Sequence, residues 1–510
     1  MADIGDEMEN IVIDLEDVSF NYGTQEEGGL REVNLKIQEG EFVLLTGQSG
    51  SGKTTILRLI NGLIPHFFEG SLSGKIKVLG MDTKMTSPGE IGRRVASIFQ
   101  NPRNQFFTTN STAEVAFAGE NYGVDRDELV RRVGEAFSIF DSKKLMDRNM
   151  FSLSSGEKQK IAVIAAKTLN PQIYVFDEPS ANLDINSIMQ LKEMMRRLKE
   201  EGHTVVVSEH RLFYLKDLCD RCLILKNGEI VKELLKNDIK TLDEEDLTGY
   251  NLRTFNLEKL KFISENNEEA DRKETDFEIR NLSFAYRSSR PLLKGCSLSG
   301  NYGDTVAIIG DNGIGKTTLG KIISGLLKNE CGEFYLGGRR IKQKELYKSV
   351  YFVMQDADYQ LYSDSVLKEL EISGDSTLDK TNEKFESILK LLNIFELKER
   401  HPQSLSGGQK QRVIIAAAIT SNKHIIVFDE PTSGLDYNNM NAVSEVINII
   451  RKNKVLNFVI SHDLEFLSRV ATKAIFIENG GIKNIIRIRN DADFEIIKNF
   501  LLKREGGKCV

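Results

Sequence analysis

The chain has 510 residues, 40% of them hydrophobic and 28% charged, a balance that is typical of a folded globular protein and argues against a disordered one. This length exceeds one ordinary core, so we expect two to four domains. Lys and Arg total 68 against 75 Asp and Glu, and because this net charge of −7 contains no basic block, we expect no nucleic-acid partner.

The sequence predicts no segment that crosses a membrane. No run approaches about 18 consecutive apolar residues, and the acidic stretch MADIGDEMEN lacks the apolar region of a secretory signal. Any membrane role must therefore come through partners. Five cysteines, an odd count, fit a reducing compartment, and we interpret the CxxC of Cys219 and Cys222 as two partly buried thiols.

The first predicted elements are strands, a glycine-rich loop and a helix. The apolar runs IVIDLEDVSFNY and EFVLLTG predict buried strands, and the second leads into GxxxxGKT at residues 47–54 and the helical pattern TTILRLING. The glycines let backbone N–H groups close around phosphates, Lys53 would reach the β- and γ-phosphates, and Thr54 would place its hydroxyl on Mg²⁺. This order of elements indicates an α/β core with helices on the sheet.

Two adjacent carboxylates follow a later apolar run. In IYVFDE, Asp177 and Glu178 stand at the C-terminal end of a predicted strand, the edge of a parallel sheet where ligands usually bind. Asp177 can hold a metal through water, and Glu178 can orient or deprotonate an attacking water. Downstream of a glycine loop, these residues predict a nucleotide-hydrolysing site.

The same motifs then occur a second time in the same order. Residues 310–317 repeat the glycine loop with Lys316 and Thr317, and IIVFDE repeats the carboxylates as Asp429 and Glu430. The offset between the copies is 263 residues at the lysines and 252 at the carboxylates, so the first copy is 11 residues longer between these points. We expect one domain over residues 1–245, a charged and solvated linker over 246–275, a second domain over 276–485 and a tail over 486–510.

A third repeated motif identifies the family that the chain resembles. LSSGE at residues 153–157 and LSGGQ at residues 405–409 precede alanine-rich helical runs, which predicts Ser154 and Ser406 as helix N-caps. With these motifs the chain resembles the ABC ATPases from about residue 11 to residue 485. The resemblance implies two tandem P-loop NTPase domains of α/β class, each with a mainly parallel sheet core, an antiparallel β subdomain and an α-helical signature subdomain.

The resemblance also implies that the two halves form an intramolecular pseudo-dimer. In this arrangement the signature of one half faces the γ-phosphate of the ATP that the other half binds. The first nucleotide would then meet Ser406 and Gly408, and the second would meet Ser154 and Gly156. Asp184 and Asp436 match the aspartate that communicates across the pseudo-dimer.

Roles for the remaining residues follow from the same resemblance, with ATP and Mg²⁺ as cofactors. The residues implied in catalysis are Glu178, Glu430, His210, His462, Gln100 and Gln355. The residues implied in Mg²⁺ binding are Thr54, Gln100, Asp177, Thr317, Gln355 and Asp429. The residues implied in ATP binding are Tyr22, Gly47, Gln48, Ser49, Gly50, Ser51, Gly52, Lys53, Thr54, Thr55, Ser154, Gly156, Tyr286, Gly310, Asp311, Asn312, Gly313, Ile314, Gly315, Lys316, Thr317, Thr318, Ser406, Gly408 and Gln409, with the two tyrosines stacking on adenine.

Two further stretches suggest a branch of the family. NGLIPHFFEG followed by Gly74, together with FQNPRNQFF, is similar to the ATPases of energy-coupling-factor importers, which take up vitamins or transition-metal ions. This resemblance implies a membrane-spanning coupling subunit and a substrate-binding membrane subunit as partners, and a peripheral position on the cytoplasmic face of the cell membrane. Phe106, Phe107, Leu361 and Tyr362 lie beside the catalytic glutamines and are candidates for a groove that receives a partner's helix.

Two alternatives remain open from the sequence. The first is the fused ATPase of a sugar importer, although such chains typically have a degenerate second catalytic half, and both lysines and both glutamates are present here. The second is a soluble ABC protein that acts on the ribosome as a nucleotide-gated binding module. Such tandem pairs have a long, basic helical linker, whereas the linker here is short and acidic.

Overall fold

The computed structural model describes residues 10–23, 29–242, 244–263, 275–286, 291–329, 331–374 and 382–503. It divides into two compact units, Met1–Phe255 and Asn256–Val510. The acidic N-terminal stretch up to residue 9, residues 264–274 of the predicted linker and residues 504–510 of the predicted tail lie outside the described residues.

Two sheets form the framework of the first unit. Its strands are, in chain order, β1 Ile11–Tyr22, β2 Leu30–Gln38, β3 Phe42–Gly47, β4 Gly70–Val78, β5 Met81–Asp82, β6 Val95–Ile98, β7 Ile173–Asp177, β8 Thr204–Ser208, β9 Arg221–Lys226 and β10 Glu229–Leu235. The larger sheet has the order β10-β9-β3-β8-β7-β6, in which β9 to β6 are parallel and β10 is antiparallel. The smaller sheet, β2-β1-β4-β5, is antiparallel. The carboxyl ends of β3, β7 and β8 therefore meet at one edge, where the loops with the predicted site begin.

The helices of the first unit cover both faces of the parallel sheet. They are α1 Lys53–Ile60, α2 Leu63–His66, α3 Pro88–Gly92, α4 Ser111–Asn121, α5 Arg126–Ile139, α6 Ser155–Thr168, α7 Ile185–Glu200, α8 Lys236–Thr241 and α9 Glu244–Gly249. Phe42 and Leu44 of β3 join a core with side chains of α4 to α7, whereas Val43 and Leu45 join a second core with α1 and the antiparallel sheet. Successive strand residues point to opposite faces, which explains why the predicted strands are continuously apolar.

The second unit repeats this architecture. Its strands are β11 Phe277–Phe284, β12 Leu293–Gly300, β13 Thr305–Ile309, β14 Cys331–Leu336, β15 Arg339–Ile341, β16 Val350–Val353, β17 Ile425–Asp429, β18 Leu456–Ile460, β19 Lys473–Glu478 and β20 Gly481–Arg487. Its helices are α10 Lys316–Ile323, α11 Val366–Ser373, α12 Asn382–Leu391, α13 Gly407–Thr420, α14 Tyr437–Lys452, α15 Leu464–Val470 and α16 Asp491–Leu501. The sheet orders are β16-β17-β18-β13-β19-β20 and β12-β11-β14-β15. The predicted fold, two tandem α/β domains with parallel cores, is thus confirmed.

The stretch that was expected to be a solvated linker is partly packed. Leu252 and Phe255 are buried in the core of the first unit. In the second unit, the Phe262 N–H donates to Asp491 Oδ1 at 2.7 Å, and Lys498 Nζ donates to the carbonyl of Leu260 at 3.2 Å. Both partners belong to α16, so the region predicted as a tail contains a helix that anchors residues just before the undescribed segment. Among the described residues, no helix has the length and apolarity needed to cross a bilayer.

Candidate active sites

The glycine loop of the first unit closes around the ammonium of Lys53. Gly47 ends β3 with a φ of 137°, and a Cβ there would lie 2.1 Å from the Leu225 carbonyl oxygen, so only glycine fits. Lys53 begins α1, is buried, and donates to the carbonyls of Gly47 at 3.0 Å and Gln48 at 2.9 Å. The turn of the chain therefore holds one positive charge at a helix N-terminus, the arrangement that binds phosphate.

The predicted metal and water residues of the first unit meet at the ends of β7 and β8. Thr54 Oγ1 donates to Asp177 Oδ1 at 3.1 Å, and Gln100 Nε2 donates to Glu178 Oε2 at 2.7 Å. Nε2 of His210 lies 3.1 Å from Glu178 Oε1. The structure thus brings together five of the residues that the sequence predicted for metal binding and catalysis.

Burial controls the charge state of Asp177. Loss of solvation is the main cause that raises the pKa of Asp177 to about 6, and the neighbouring charge of Glu178 adds to it. Hydrogen bonds from Thr54 and Ser208 and the positive charge of Lys53 act in the opposite direction. A cation beside this carboxylate would favour its ionised form, which is the behaviour expected of a metal ligand.

Both predicted catalytic glutamates adopt a left-handed backbone. The φ of Glu178 is 43° and that of Glu430 is 49°. Non-glycine residues in this region are strained, and such strain persists only where the surroundings hold it. In each unit the glutamate N–H donates at 2.9 Å to a carbonyl of the neighbouring strand, that of Ser208 or of Ile460. The same unusual backbone turns both glutamates out of the sheet edge.

The second unit builds an equivalent site. Lys316 is buried and donates to the carbonyls of Gly310 at 2.7 Å and Asp311 at 2.8 Å. Burial raises the pKa of Asp429, against the opposing hydrogen bond from Thr317. Nε2 of His462 lies 3.8 Å from Glu430 Oε1. Gln355 is exposed just after β16, in the position that Gln100 has after β6.

The two tyrosines predicted to stack on adenine are placed differently. Each hydroxyl lies close to the threonine that follows the Mg²⁺ threonine: Tyr22 at 3.1 Å from Thr55 Oγ1 and Tyr286 at 3.2 Å from Thr318 Oγ1. Tyr22, however, is 6% exposed and also accepts a hydrogen bond from Arg58 at 2.8 Å, whereas Tyr286 is 50% exposed. Only Tyr286 has an open ring surface for a base.

The signature serines are helix N-caps in both units, as predicted. Ser154 precedes α6 and Ser406 precedes α13, each in a capping box with the residue three positions on. In the first unit Glu157 Oε2 accepts both the N–H and the hydroxyl of Ser154, each at 2.9 Å. In the second, Gln409 Oε1 accepts the Ser406 N–H at 2.9 Å. Asp184 and Asp436 are likewise N-caps, of α7 and α14.

The residues present fit ATP with Mg²⁺. The Ser51 hydroxyl is buried in the glycine loop without a hydrogen-bond partner among the described residues, so it is available to a phosphate. Thr54, Asp177 and Gln100 supply the oxygen ligands that Mg²⁺ prefers, and a few protein ligands suffice because Mg²⁺ keeps several waters and binds phosphate oxygens. The described residues contain no cluster of three or more His, Cys, Asp or Glu side chains that could hold a metal ion.

Sequence reasoning missed three buried polar residues around the sites. Glu209 and Asp463 hold the loops with the catalytic histidines. Glu114 binds the loop that follows Gln100, because its Oε2 accepts the N–H groups of Phe107 at 3.0 Å and Thr108 at 2.7 Å. Glu114 stands in the apolar run AEVAF, which is a signal of a buried carboxylate, whereas Glu209 and Asp463 lie among polar residues that gave no such signal.

Comparison with known proteins agrees with this geometry. The sequence model of the family described as "ABC transporter" matches residues 30–181 and 293–433. A protein of Treponema denticola, provisionally named an ABC transporter ATP-binding protein, is 37% identical over 95% of this chain and 99% of its own length. A similarly named protein of Clostridium perfringens is 31% identical over 92% of this chain and 89% of its own.

Solved structures show the same tandem fold. A structure described as "RNase-L Inhibitor" is 26% identical, with a TM-score of 0.64 over 96% of this chain and 93% of its own. A model of ribosome-bound archaeal Pelota and ABCE1 contains a chain that is 26% identical, with a TM-score of 0.69 over 96% of this chain and 80% of that one.

Proposed function

Because the chain belongs to the ABC transporter family of ATPases, we propose that it powers import through separate membrane-spanning subunits, as the ATPase of an energy-coupling-factor system for a vitamin or a metal ion. ATP hydrolysis itself follows from family membership. The loops that follow the two catalytic glutamines support docking to a membrane-spanning subunit.

We assign the hydrolytic roles within each unit from the contacts described above. Lys53 and Lys316 neutralise phosphate charge, and Glu178 and Glu430 orient or deprotonate the attacking water. His210 and His462 lie beside these glutamates, at 3.1 Å and 3.8 Å, and we assign them the contact with the γ-phosphate. Mg²⁺, when bound with ATP, supplies neutralisation of charge on the transferred phosphoryl group. The family resemblance adds that each site is completed by the signature of the other half.

Exposed aromatic side chains in the loops that follow the catalytic glutamines support the transport proposal. Phe107 is 73% exposed and its ring stacks on Phe117 at 4.9 Å, while Tyr362 is 81% exposed and donates to the Tyr359 carbonyl at 2.6 Å. Of the four residues predicted for a docking groove, Phe106 and Leu361 pack inward instead. The exposed member of each pair follows directly, so charged substitutions belong at residues 107 and 362.

Buried glutamates hold these loops in the same way in both units. Glu114 accepts the N–H of Phe107, and Glu369 Oε2 accepts the N–H groups of Tyr362 at 3.1 Å and Ser363 at 2.9 Å. A loop with a fixed backbone loses little conformational entropy when a partner binds. Exposed aromatic side chains on such a loop are typical anchors for an apolar helix.

Membrane fractionation tests this proposal. Phe107→Asp with Tyr362→Asp should release the chain from membranes that contain its partners, while basal ATPase stays within about twofold, because neither residue contacts the phosphate site. The matched control is Val130→Asp with Tyr347→Asp, which adds charge at exposed apolar positions elsewhere in each unit. Retention of the first variant on membranes, or equal release of the control, would contradict the proposal.

A ribosomal function is the second candidate, favoured by the whole-chain likeness to the ABCE1 chain of the ribosome-bound model. We rank it lower because relatives that are matched over 95% and 92% of this chain carry transporter names. Sedimentation of a cell extract with non-hydrolysable ATP separates the two. Association with the membrane pellet supports transport, and comigration with ribosomes after detergent treatment supports the alternative.

A further inference from the structure

We propose that Glu209 is a positioning residue that fixes His210 beside Glu178 in the first unit. The inference rests on the proposed hydrolytic roles of Glu178 and His210. Glu209 immediately precedes the histidine and is buried, at 2% exposed. A buried carboxylate is costly unless its oxygens are hydrogen-bonded, so its contacts have a structural purpose.

The contacts of this carboxylate together join two segments that carry catalytic residues. Glu209 Oε2 accepts the N–H groups of His210 at 2.7 Å and Arg211 at 3.2 Å. Its Oε1 accepts the N–H of Ser180, two residues after Glu178, at 3.1 Å. The carboxylate therefore connects the backbone around the histidine with the backbone that follows the glutamate.

A tyrosine completes the network. The Tyr214 hydroxyl donates to Glu209 Oε1 at 2.9 Å, and burial together with the Glu209 charge raises the pKa of Tyr214 well above its ordinary value. Tyr214 thus stays a neutral donor at physiological pH. Four donors saturate the two carboxylate oxygens, which leaves Glu209 with one defined orientation.

The second unit joins the same two segments with different side chains. At the four equivalent positions it has Thr432, Ser461, Asp463 and Phe466 in place of Ser180, Glu209, Arg211 and Tyr214. The Thr432 hydroxyl donates to Asp463 Oδ2 at 3.0 Å, and the Asp463 N–H donates to Ser461 Oγ at 3.1 Å. The second unit thus lacks both the carboxylate equivalent to Glu209 and the hydroxyl equivalent to Tyr214. We infer that each network positions the histidine of its own unit.

Because Glu209 would affect hydrolysis through His210, its substitution is compared in the presence and absence of the histidine. In the otherwise unaltered chain, Glu209→Ser should lower kcat for ATP about fivefold with little change in KM, because the histidine of the first unit is misplaced while the nucleotide contacts remain and the slower second unit keeps its own rate. In a His210→Ala background the same change should have little further effect. Glu41→Gln, which alters a partly buried glutamate paired with Arg221, is the matched control and should leave kcat unchanged.

A transplanted network provides the rescue. The variant Ser180→Thr, Glu209→Ser, Arg211→Asp, Tyr214→Phe installs the side chains of the second unit and should recover most of the kcat that Glu209→Ser loses. If Glu209→Ser unfolds the chain, as circular dichroism would show, the four-residue variant still decides the question. Wild-type kcat in Glu209→Ser, or a four-residue variant that folds yet stays as slow as Glu209→Ser, would overturn the inference. Wild-type kcat in His210→Ala would instead refute the hydrolytic role of the histidine.

Discussion

The two units place equivalent side chains on equivalent elements but hold them at different distances. In the first unit the histidine nitrogen lies 3.1 Å from the catalytic glutamate, and in the second the distance is 3.8 Å. The first network is built around a buried glutamate with four donors, whereas the second uses a threonine and an aspartate. The two units therefore share their catalytic residues but differ in the residues that position them.

Equal motifs therefore do not imply equal sites. Both units have the lysine, the aspartate predicted to bind the metal, the glutamate and the histidine, yet the tyrosine predicted to stack on adenine is buried in the first unit and half-exposed in the second. A difference of about 1.4 kcal/mol in transition-state free energy between the two sites would change the ratio of their rates tenfold. Four sets of substitutions test how far the two sites are equivalent.

The largest effect is expected from the loop lysines, which both units share. Lys53→Ala with Lys316→Ala should lower Mg²⁺-dependent ATPase at least about 100-fold, because the buried ammonium is the charge placed to stabilise the transferred phosphoryl group. Steady-state phosphate release measures this. Lys75→Ala with Lys483→Ala, at exposed ion pairs, is the control that should stay active. Turnover near wild type in the double loop variant would refute both sites at once.

A stability measurement probes the buried aspartates. Because burial raises the pKa of Asp177 to about 6, above an ordinary value of about 3.9, the folded state keeps a proton that the unfolded chain releases. Stability from this group is therefore full below about pH 4 and is lost as pH rises through about 6. Asp177→Asn should raise the free energy of unfolding at pH 7.5 by roughly 2 kcal/mol, while it removes activity.

Chemical denaturation at two pH values checks this expectation. The gain should vanish near pH 3.5, where the wild-type carboxyl is protonated in both states. Asp429→Asn should act in the same direction, since burial raises the pKa of Asp429 as well. A variant that is less stable than wild type at pH 7.5 would show that hydrogen bonds of the carboxylate outweigh its desolvation.

Much of this molecule was predictable because the informative signals are local. A glycine loop between an apolar run and a helical pattern, and a serine before an alanine-rich run, depend on neighbouring residues alone, so Lys53, Ser154 and Ser406 lie where expected. The burial of Tyr22 was not predictable in this way. Phe68 and Arg58, which cover it, come from 46 and 36 residues further along the chain.

Long-range contacts explain the other differences as well. In the sequence, Glu209 is one of several polar residues after a strand. Its role depends on hydrogen bonds from the Ser180 N–H and the Tyr214 hydroxyl, which are seen only in the folded unit. The predicted solvated linker contained Leu252 and Phe255, whose burial depends on surfaces that only the folded unit provides. The charge and composition of a segment predict whether it favours solvent. Whether its apolar side chains are buried depends on the apolar surface that the folded unit exposes nearby.

Single substitutions of the two glutamates compare the sites directly. Because the Glu178 and His210 pair is the closer one, Glu178→Gln should reduce steady-state ATPase more than Glu430→Gln, with a difference of about tenfold in the rates of the two sites. Two sites that must fire together would both stop when either glutamate is lost. Single-turnover hydrolysis with trapped nucleotide counted per site removes this ambiguity. Equal rates at the two sites would show that the geometric difference has no catalytic consequence.

The smallest effect is expected from the unequal signatures. The hydroxyl of Ser154 donates to the Glu157 carboxylate, so it must leave that partner before it can donate to a phosphate. A carboxylate near ATP is also unfavourable, whereas the Gln409 amide carries no charge. On the pairing implied by the family resemblance, this signature serves the second nucleotide. Ser155→Gly with Glu157→Gln should therefore raise the slower rate a few-fold, by less than about 1 kcal/mol.

The separate changes identify which residue is responsible. A Cβ at Gly407, the position equivalent to Ser155, would meet no atom of the described residues within 4 Å, so the separate Ser155→Gly variant tests whether this side chain hinders the approach of a nucleotide. Glu157→Gln keeps an oxygen for the Ser154 N–H and removes only the charge. If Glu157→Gln alone reproduces the gain, the carboxylate is the cause. If only Ser155→Gly does, the side chain obstructs the phosphate, and if neither changes the slower rate, the inequality of the sites arises from the histidine loops alone.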